Sequence, residues 1–410
     1  MYLLISFLFT ALGFVQLGLL NGFRPAYGAA LLVWAVCFGG GDFLLRRRLP
    51  KASPFLLPAV SLLSGLGLLM VARLAPGFLA RQTVWLAVST AALLAVTLIP
   101  TGLGWLRRYK YTWLMAGLAL LAATLIFGVN PSGVGARLWL GTAGVYIQPS
   151  EPLKILLVVF LAVYLSDKRR QIIEVEARLG RWRLPHPAYL GPMLTMWGFS
   201  IILLFWQRDL GAALLFFCTF LAMLYMAVGQ LRYVALGAAL LLLAGLLGYR
   251  LFDYVALRIE GWWNPWLDST GRSFQIVQSL LAFASGGLFG QGLGQGLPTA
   301  IPVVHTDFVF AAIGEEYGLL GALAVLLCFG IIVRQAFEIA LNSRTHFQQL
   351  LAAGLGFVLG FQALVISAGA LKLIPLTGVT LPFVSYGGSS LLTSFIMVGL
   401  LIFASTRVWS

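Results

Sequence analysis

The sequence predicts an all-α polytopic integral membrane protein. Of its 410 residues, 60% are hydrophobic and only 10% are charged, whereas a soluble domain carries about 25% charged residues. The uncharged residues form long apolar runs, and a bilayer core about 30 Å thick needs roughly 20 such residues for each helix. These two observations exclude an ordinary soluble globular protein.

Twelve apolar segments are candidates for membrane helices. In chain order they are residues 3–20, 27–45, 55–71, 84–99, 112–129, 152–165, 191–206, 210–228, 234–251, 309–333, 350–370 and 389–404. A basic stretch at residues 46–51 separates the first two segments from the others. We therefore expect a two-helix N-terminal membrane extension over residues 1–52 and a ten-helix core over residues 53–410. The N-terminus lacks a basic region and a cleavage site, which indicates a retained helix rather than a signal peptide.

The net charge of +14 would suggest nucleic acid in a soluble protein, but here the basic residues cluster in loops between apolar segments. Such loops are typical of the cytoplasmic side, where Lys and Arg fix the orientation. Placing the N-terminus inside puts most basic residues on the inner face, so we expect both termini to be cytoplasmic. We also expect the protein to contact the membrane and not nucleic acid.

With that orientation, two outer connections are unusually long, residues 130–151 and residues 252–307. Long loops on a rigid scaffold often carry function. We therefore expect the active surface on the outer face. The three cysteines (Cys37, Cys218 and Cys328) all lie in apolar segments, and the three histidines are scattered, so neither a disulfide framework nor a zinc site is indicated.

Ionisable residues in membrane segments are functional candidates because their insertion costs at least about 2.5 kcal/mol each. Lys154 lies one turn into the sixth segment, three residues after Glu151, where the two side chains would face each other. The pair is either a structural ion pair or a cation offered to an anionic substrate. Glu315 and Glu316 lie two turns into the tenth segment, and we expect at least one to pair with an outer arginine or to contact substrate or metal.

Asp307 ends the long outer loop, directly before an apolar helix. A carboxylate there can cap the helix, but the preceding residues suggest more. Residues 274–281 form an amphipathic stretch suited to the membrane interface, and a run of glycines follows at positions 286, 287, 290, 292, 294 and 296. Their spacing is not a dinucleotide fingerprint. They are better explained as tight turns beside a bulky lipid head group or a partner.

Six motifs together resemble one known family. In chain order they are Gly135-Ala136-Arg137-Leu138-Trp139, Gln148-Pro149-Ser150-Glu151, Gln207-Arg208-Asp209-Leu210-Gly211, His305-Thr306-Asp307-Phe308, Gly314-Glu315-Glu316-Tyr317-Gly318 and Ser385-Tyr386-Gly387-Gly388-Ser389-Ser390. The chain is similar in these motifs to the shape, elongation, division and sporulation (SEDS) peptidoglycan glycosyltransferases of the RodA and FtsW type. The resemblance covers roughly residues 55–407.

The resemblance implies a ten-helix polymerase of the bacterial cytoplasmic membrane that joins lipid II disaccharides into glycan strands on the outer face. It also implies a class B penicillin-binding protein as partner. Asp307 matches the family's essential aspartate, and Arg137, Glu151 and Lys154 match its central polar cluster. The chain departs from the family in Gln207-Arg208-Asp209, in Pro302-Val303-Val304 before His305, and in the additional N-terminal helices.

The chemistry of the reaction favours Asp307 as the catalytic base. Lipid II carries a sugar diphosphate that is already a good leaving group, so an inverting transfer needs one base on the acceptor and positive charge on the diphosphate. Candidate substrate-binding residues are Arg137, Glu151, Lys154, Arg208, Arg272, His305, Glu315 and Glu316. A divalent cation, Mg²⁺ or Mn²⁺, is also expected with a diphosphate, although the sequence shows no ligand set for it.

Two other functions use the same features. A lipid II flippase would need the same buried charges, but the sequence lacks a convincing inverted repeat. A non-catalytic activator of a penicillin-binding protein would make Asp307 a helix cap and the long loop a docking surface. The sequence leaves open whether the role is in elongation or division, with a lean toward the RodA type.

Overall fold

The chain folds into a largely helical structure in a computed structural model that describes residues 2–98, 104–130, 136–142, 145–174, 176–179, 182–185 and 187–408. Gly135 of the first motif and the predicted helix end at Ile99 lie outside the described residues.

The described residues contain fifteen α-helices. These are α1 (Tyr2–Asn21), α2 (Pro25–Arg48), α3 (Leu56–Leu74), α4 (Leu79–Thr97), α5 (Gly104–Arg108), α6 (Lys110–Phe127), α7 (Ser150–Glu174), α8 (Pro187–Trp206), α9 (Leu210–Val228), α10 (Leu231–Leu251), α11 (Asp253–Trp263), α12 (Phe274–Gly286), α13 (Val309–Asn342), α14 (His346–Ala370) and α15 (Gly388–Val408). Each of the twelve predicted segments overlaps one of them.

Ten of the helical spans among the described residues are long and apolar enough to cross a membrane. Helices α7 and α8 account for the two other predicted segments. The predicted multi-pass helical membrane fold is therefore confirmed. Helix α11 was not expected, because the sequence between residues 252 and 274 mixes charged residues with tryptophans and shows no long apolar run.

Two short antiparallel hairpins add to the helices. Strand β1 (Leu140–Thr142) pairs with β2 (Val145–Ile147), and β3 (Glu176–Leu179) pairs with β4 (Trp182–Pro185). Strands of three or four residues give no recognisable alternation in a sequence, which explains why an all-α chain was predicted without them.

The chain divides into two compact units. Unit 1 comprises Met1–Leu98, Leu242–Gln335 and Leu359–Thr406. Unit 2 comprises Ile99–Leu241, Ala336–Val358 and Arg407–Ser410. The predicted N-terminal extension is thus part of unit 1.

Helix α1 packs closely on α3 within unit 1. A Cβ atom on Gly65 would overlap the side chain of Thr10, and one on Gly13 would overlap Leu69. Small residues that let two helices approach in this way are typical of membrane helix interfaces. Helix α2 is joined to α3 by the Trp34 indole, whose Nε1 donates to the carbonyl oxygen of Ser61 at 3.2 Å.

Helix α7 lies at the centre of unit 2. Its residues 157–165 are all buried, and a helix that is apolar all round is expected in a protein interior. Helices α6 and α9 pack on it. This burial fixes the first turn of α7, where Glu151 and Lys154 lie.

Candidate active site

Asp307 lies in the connection between α12 and α13, two residues before Val309. The side chain is partly exposed, whereas Phe308 and Val309 behind it are fully buried. The start of α13 therefore anchors the aspartate from one side, and the residue as a whole remains partly exposed.

The loop between α14 and α15 holds the His305–Asp307 segment in place. Tyr386 N donates to the His305 carbonyl oxygen at 2.9 Å, and Ser385 Oγ donates to the Thr306 carbonyl oxygen at 2.6 Å. Gln82 of α4 in turn holds this loop, because its Nε2 donates to the Ser385 carbonyl oxygen at 3.4 Å. Two motifs that are distant in sequence thus form one structural element around Asp307.

Three rings pack beside this element. Phe78 stacks on Tyr386 with ring centroids 4.6 Å apart, and His305 lies 5.5 Å from Phe78 and 5.8 Å from Tyr386. Burial lowers the pKa of the His305 imidazole, so the ring is neutral at pH 7. His305 therefore contributes shape and a neutral hydrogen-bonding group rather than a positive charge.

The electrostatic setting of Asp307 suits a general base. Burial raises the pKa of its carboxyl group, and the Thr306 hydroxyl and the positive charge of Arg258 oppose only part of the rise. A base is most efficient when its pKa lies nearer the working pH than that of an ordinary aspartate. The site therefore moves Asp307 in the direction that a proton acceptor requires.

Arg258 and Gly378 complete the surroundings of Asp307. Arg258 of α11 donates from Nη1 to the Thr377 carbonyl oxygen at 3.4 Å. The next residue, Gly378, has a φ of +71°, and a Cβ atom placed on it would lie 3.8 Å from Asp307 Oδ2. A glycine here keeps the space in front of the carboxylate open.

Glu315 and Glu316 hold a glycine loop, which we define as residues 286–297. Glu316 Oε1 accepts from Arg73 Nε at 3.0 Å, and Arg73 Nη2 donates to the Gly296 carbonyl oxygen at 2.9 Å. Glu315 Oε1 accepts from Leu297 N at 2.8 Å. The predicted pairing of one of these glutamates with an arginine is confirmed, and the outer position of that arginine stays a prediction. Their predicted contact with substrate or metal stays a prediction.

A kink in α13 makes this arrangement possible. Gly318 has a φ of +69° and a ψ of −169°, which leaves the preceding carbonyl groups without their helical partners. The Glu315 and Glu316 carbonyl oxygens instead accept from Gln291 N and Gly292 N, both at 2.9 Å. The glycines of the loop thus serve close backbone packing.

A second polar cluster lies in unit 2, at the start of α7. Lys154 Nζ and Glu151 Oε2 are 2.8 Å apart, and the two side chains are only 3% and 8% exposed. The predicted i, i+3 contact is confirmed. Because both charges are buried, removal of either partner of the ion pair is expected to cost stability.

Asp209 joins the turn before α9 to this cluster. Its Oδ1 accepts from Ala212 N at 3.1 Å and caps α9, and its Oδ2 accepts from Ser150 Oγ and Gln148 Nε2, both at 3.3 Å. Burial raises the pKa of Asp209. Asp209 is buried, and Ser150 and Gln148 supply the hydrogen bonds that water would otherwise provide.

Three predicted arginines lie on the surface. Arg137 and Arg208 of unit 2 and Arg272 of unit 1 have exposed side chains. Arg208 has a φ of +62°, so the turn that replaces the family's usual sequence is backbone-strained.

The described part of the chain contains no group of three or more His, Cys, Asp and Glu side chains that could hold a metal ion. Asp307 offers one carboxylate, and Mg²⁺ is commonly bound by one or two carboxylates together with substrate phosphates. The expectation of a divalent cation stays a prediction, and no catalytic step is derived through it.

Sequence reasoning did not select Arg258, Gly378 or Arg73. Arg258 and Arg73 were two of several outer basic residues, and nothing local distinguishes them. Gly378 follows Leu376-Thr377 in a stretch without helical character, which is a local signal for a turn. That signal does not identify Asp307 as its neighbour, because Asp307 is 71 positions away.

Comparison with known proteins gives one consistent result. The family model for FtsW, RodA and SpoVE, described as cell cycle protein, matches residues 56–408. A protein named peptidoglycan glycosyltransferase RodA from Mycobacterium tuberculosis is 38% identical over 387 residues, covering 92% of this chain and 82% of that protein. A probable peptidoglycan glycosyltransferase FtsW from Geobacter metallireducens is 35% identical over 336 residues, covering 81% and 85%.

Solved structures agree with the sequence comparison. One of these structures is described as "Structural coordination of polymerization and crosslinking by a peptidoglycan synthase complex". A chain of it superimposes on this chain with a TM-score of 0.73 and 29% identity, covering 88% of this chain and 99% of that chain. The rod shape determining protein RodA of Thermus thermophilus gives a TM-score of 0.63 and 25% identity, covering 88% and 98%.

Proposed function

The chain belongs to the FtsW, RodA and SpoVE family, and it is a peptidoglycan glycosyltransferase; we propose that it polymerises lipid II with Asp307 as the catalytic base. The observation that carries the assignment of the base is the setting of Asp307. Its side chain is partly exposed, its pKa is raised by burial of the carboxyl group, and the adjoining backbone is fixed by Ser385 and Tyr386.

The proposed reaction transfers one sugar with inversion. Asp307 takes the proton from the 4-hydroxyl of the acceptor GlcNAc while that oxygen forms a bond to C1 of the donor MurNAc. The bond between C1 and the diphosphate oxygen breaks, and its electron pair leaves with undecaprenyl diphosphate. The α-linked donor thus becomes a β-linked strand, and no second carboxylate is required.

The diphosphate needs positive charge as its bond to the sugar breaks. The candidates are Arg137, Lys154, Arg208 and Arg272, as the family resemblance and the outer position of these residues suggest. Arg258 joins this list because its guanidinium acts electrostatically on Asp307. Lys154 differs from the arginines in being buried and already paired with Glu151.

The partner and the orientation are part of the same proposal. One similar chain comes from a structure described as a peptidoglycan synthase complex that coordinates polymerization and crosslinking. This similarity supports a class B penicillin-binding protein as the crosslinking partner. The excess of basic residues in the predicted inner loops supports cytoplasmic termini and an extracytoplasmic active site. The similarity to a RodA protein at 38% identity supports a role in elongation.

A test of this function compares polymerisation with transport. The purified protein in liposomes, with and without a class B penicillin-binding protein, is given lipid II, and both glycan strands and lipid II movement between leaflets are measured. We expect glycan strands. Lipid II movement without strand formation would instead identify a flippase, and strands formed only by the partner would identify an activator.

A further inference from the structure

The N-terminal helix α1 lies outside the segment that matches the family, which begins at residue 56. It nevertheless makes specific contacts with the family core in unit 1. Its contacts with α3 explain how it is attached, but they leave unexplained why the long polar side chain of Gln16 occurs near the C-terminal end of a largely apolar helix.

The partner of Gln16 is the glycine loop. Gln16 Nε2 donates to the Leu293 carbonyl oxygen at 3.2 Å. The next loop residue, Gly294, has a φ of +82°, and a Cβ atom on it would lie 2.9 Å from Leu20 Cδ1 and 3.7 Å from Leu17 Cδ2. The last turns of α1 therefore cover residues 293–294 of the loop.

The glycine loop runs beside a membrane-spanning helix, where irregular backbone requires protein partners. Leu319 N and Leu320 N of α13 donate to the Gly287 and Leu288 carbonyl oxygens at 2.9 and 3.2 Å. Glu315 and Glu316 accept from the other side of the loop, as described above. The Leu293 carbonyl group faces α1 instead, and Gln16 supplies its hydrogen bond.

The loop leads directly to the catalytic segment. Between Leu297 and His305 the chain forms a short 3-10 helix, Pro298–Ala300, followed by turns, and Ile301 and Val304 are buried. The segment is thus fixed at its far end by Tyr386 and at its near end by Glu315, Arg73 and α1. Loosening of the near end gives Asp307 more conformations to search before each proton transfer.

We propose that Gln16 is a positioning residue, and that α1 fixes the glycine loop and through it Asp307. This inference rests on the proposed function of Asp307. The N-terminal extension then positions the catalytic segment in addition to anchoring the chain in the membrane.

The test uses the full chain with its class B penicillin-binding protein and the variant Gln16→Leu. This change removes the donor at an exposed position and keeps the apolar character of the helix. We expect several-fold faster amide hydrogen exchange at residues 292–297, several-fold lower kcat for lipid II polymerisation and an unchanged KM. The melting temperature should not change, since α1 keeps its contacts with α3.

Two matched variants complete the experiment. Gln16→Lys keeps a donor of similar reach on a side chain that can extend toward the interface, and it should retain the wild-type exchange and kcat. Leu12→Ala, on the same helix and 66% exposed, should change neither. Unchanged exchange in Gln16→Leu, or faster exchange with unchanged kcat, would overturn the proposal. A wrong assignment of Asp307 would appear in the Asp307→Asn variant, whereas the exchange result would stand.

Discussion

Gly378 lies so close to the carboxylate of Asp307 that a Cβ atom on it would be 3.8 Å from Oδ2. The two residues come from different connections, before α13 and before α15. Their contact places the base beside a backbone that has no side chain, which leaves room for a bulky sugar to approach.

The Gly378→Ala variant should therefore lower the polymerisation rate strongly. The methyl group would occupy the space in front of Asp307, and the backbone φ of +71° is strained for any residue with a Cβ atom, at a cost of about 1 kcal/mol or more. Gly387→Ala is the matched control, because Gly387 has no positive φ and its Cβ atom would contact Ser390 and Thr380 rather than Asp307, the nearest at 3.7 Å. Equal rates for the two variants would show that the space beside Asp307 is not used.

The pH dependence of kcat should report the pKa of Asp307. A base must be deprotonated, so activity should be lost as pH falls through its pKa, which burial raises above the ordinary aspartate value. The charge of Arg258 lowers that pKa, so Arg258→Met should move the acid limb of the profile to higher pH. Arg250→Met, at the exposed end of α10, should leave the limb in place. An acid limb that does not move in Arg258→Met would contradict the electrostatic link.

The buried pair of Lys154 and Glu151 allows its structural and functional roles to be separated. Each single change, Lys154→Met or Glu151→Gln, should reduce the free energy of unfolding by about 3 to 5 kcal/mol, because it removes one partner of a buried ion pair. The double variant should recover most of that stability. If Lys154 binds the diphosphate, the stable double variant remains inactive in polymerisation. Recovery of both stability and activity would make the pair purely structural.

Asp209 should matter for stability more than its position in a turn suggests. Asp209→Ala removes the cap of α9 and the bonds from Ser150 and Gln148, and loss of the cap alone costs about 0.5 to 2 kcal/mol. Asp209→Asn keeps an oxygen for the cap and should be the milder change. Thermal unfolding of both variants checks this order, and equal losses would show that the carboxylate charge, which both variants lack, outweighs the cap.

The features that depend on spacing within one short segment were predicted from the sequence. The i, i+3 contact of Glu151 and Lys154 follows from helical spacing alone, and the twelve apolar segments follow from the thickness of a bilayer. The pairing of a glutamate in α13 with an outer arginine was predicted in kind, but Arg73 could not be selected, because it is 243 positions from Glu316.

Other features depend on tertiary packing. The amphipathic α12 was expected at the membrane interface, which stays a prediction, and one of its faces packs on protein, where Ser279 Oγ donates to the Ala370 carbonyl oxygen at 2.7 Å. Periodicity identifies an apolar face and does not tell whether lipid or protein covers it. The contacts of Gly378 and Tyr386 with the Asp307 segment likewise arise only when the two distant loops fold together.

Asp307→Asn is the variant that tests the central claim most directly. The amide has the same shape as the carboxylate and keeps an oxygen for hydrogen bonds, but it cannot accept the proton of the acceptor hydroxyl. Glycan-strand formation is measured from purified lipid II by the variant and the wild type, each with the class B penicillin-binding protein. The account predicts a rate lower by about 10²- to 10⁴-fold, the usual contribution of a general base, with an unchanged melting temperature. Polymerisation at the wild-type rate would contradict it.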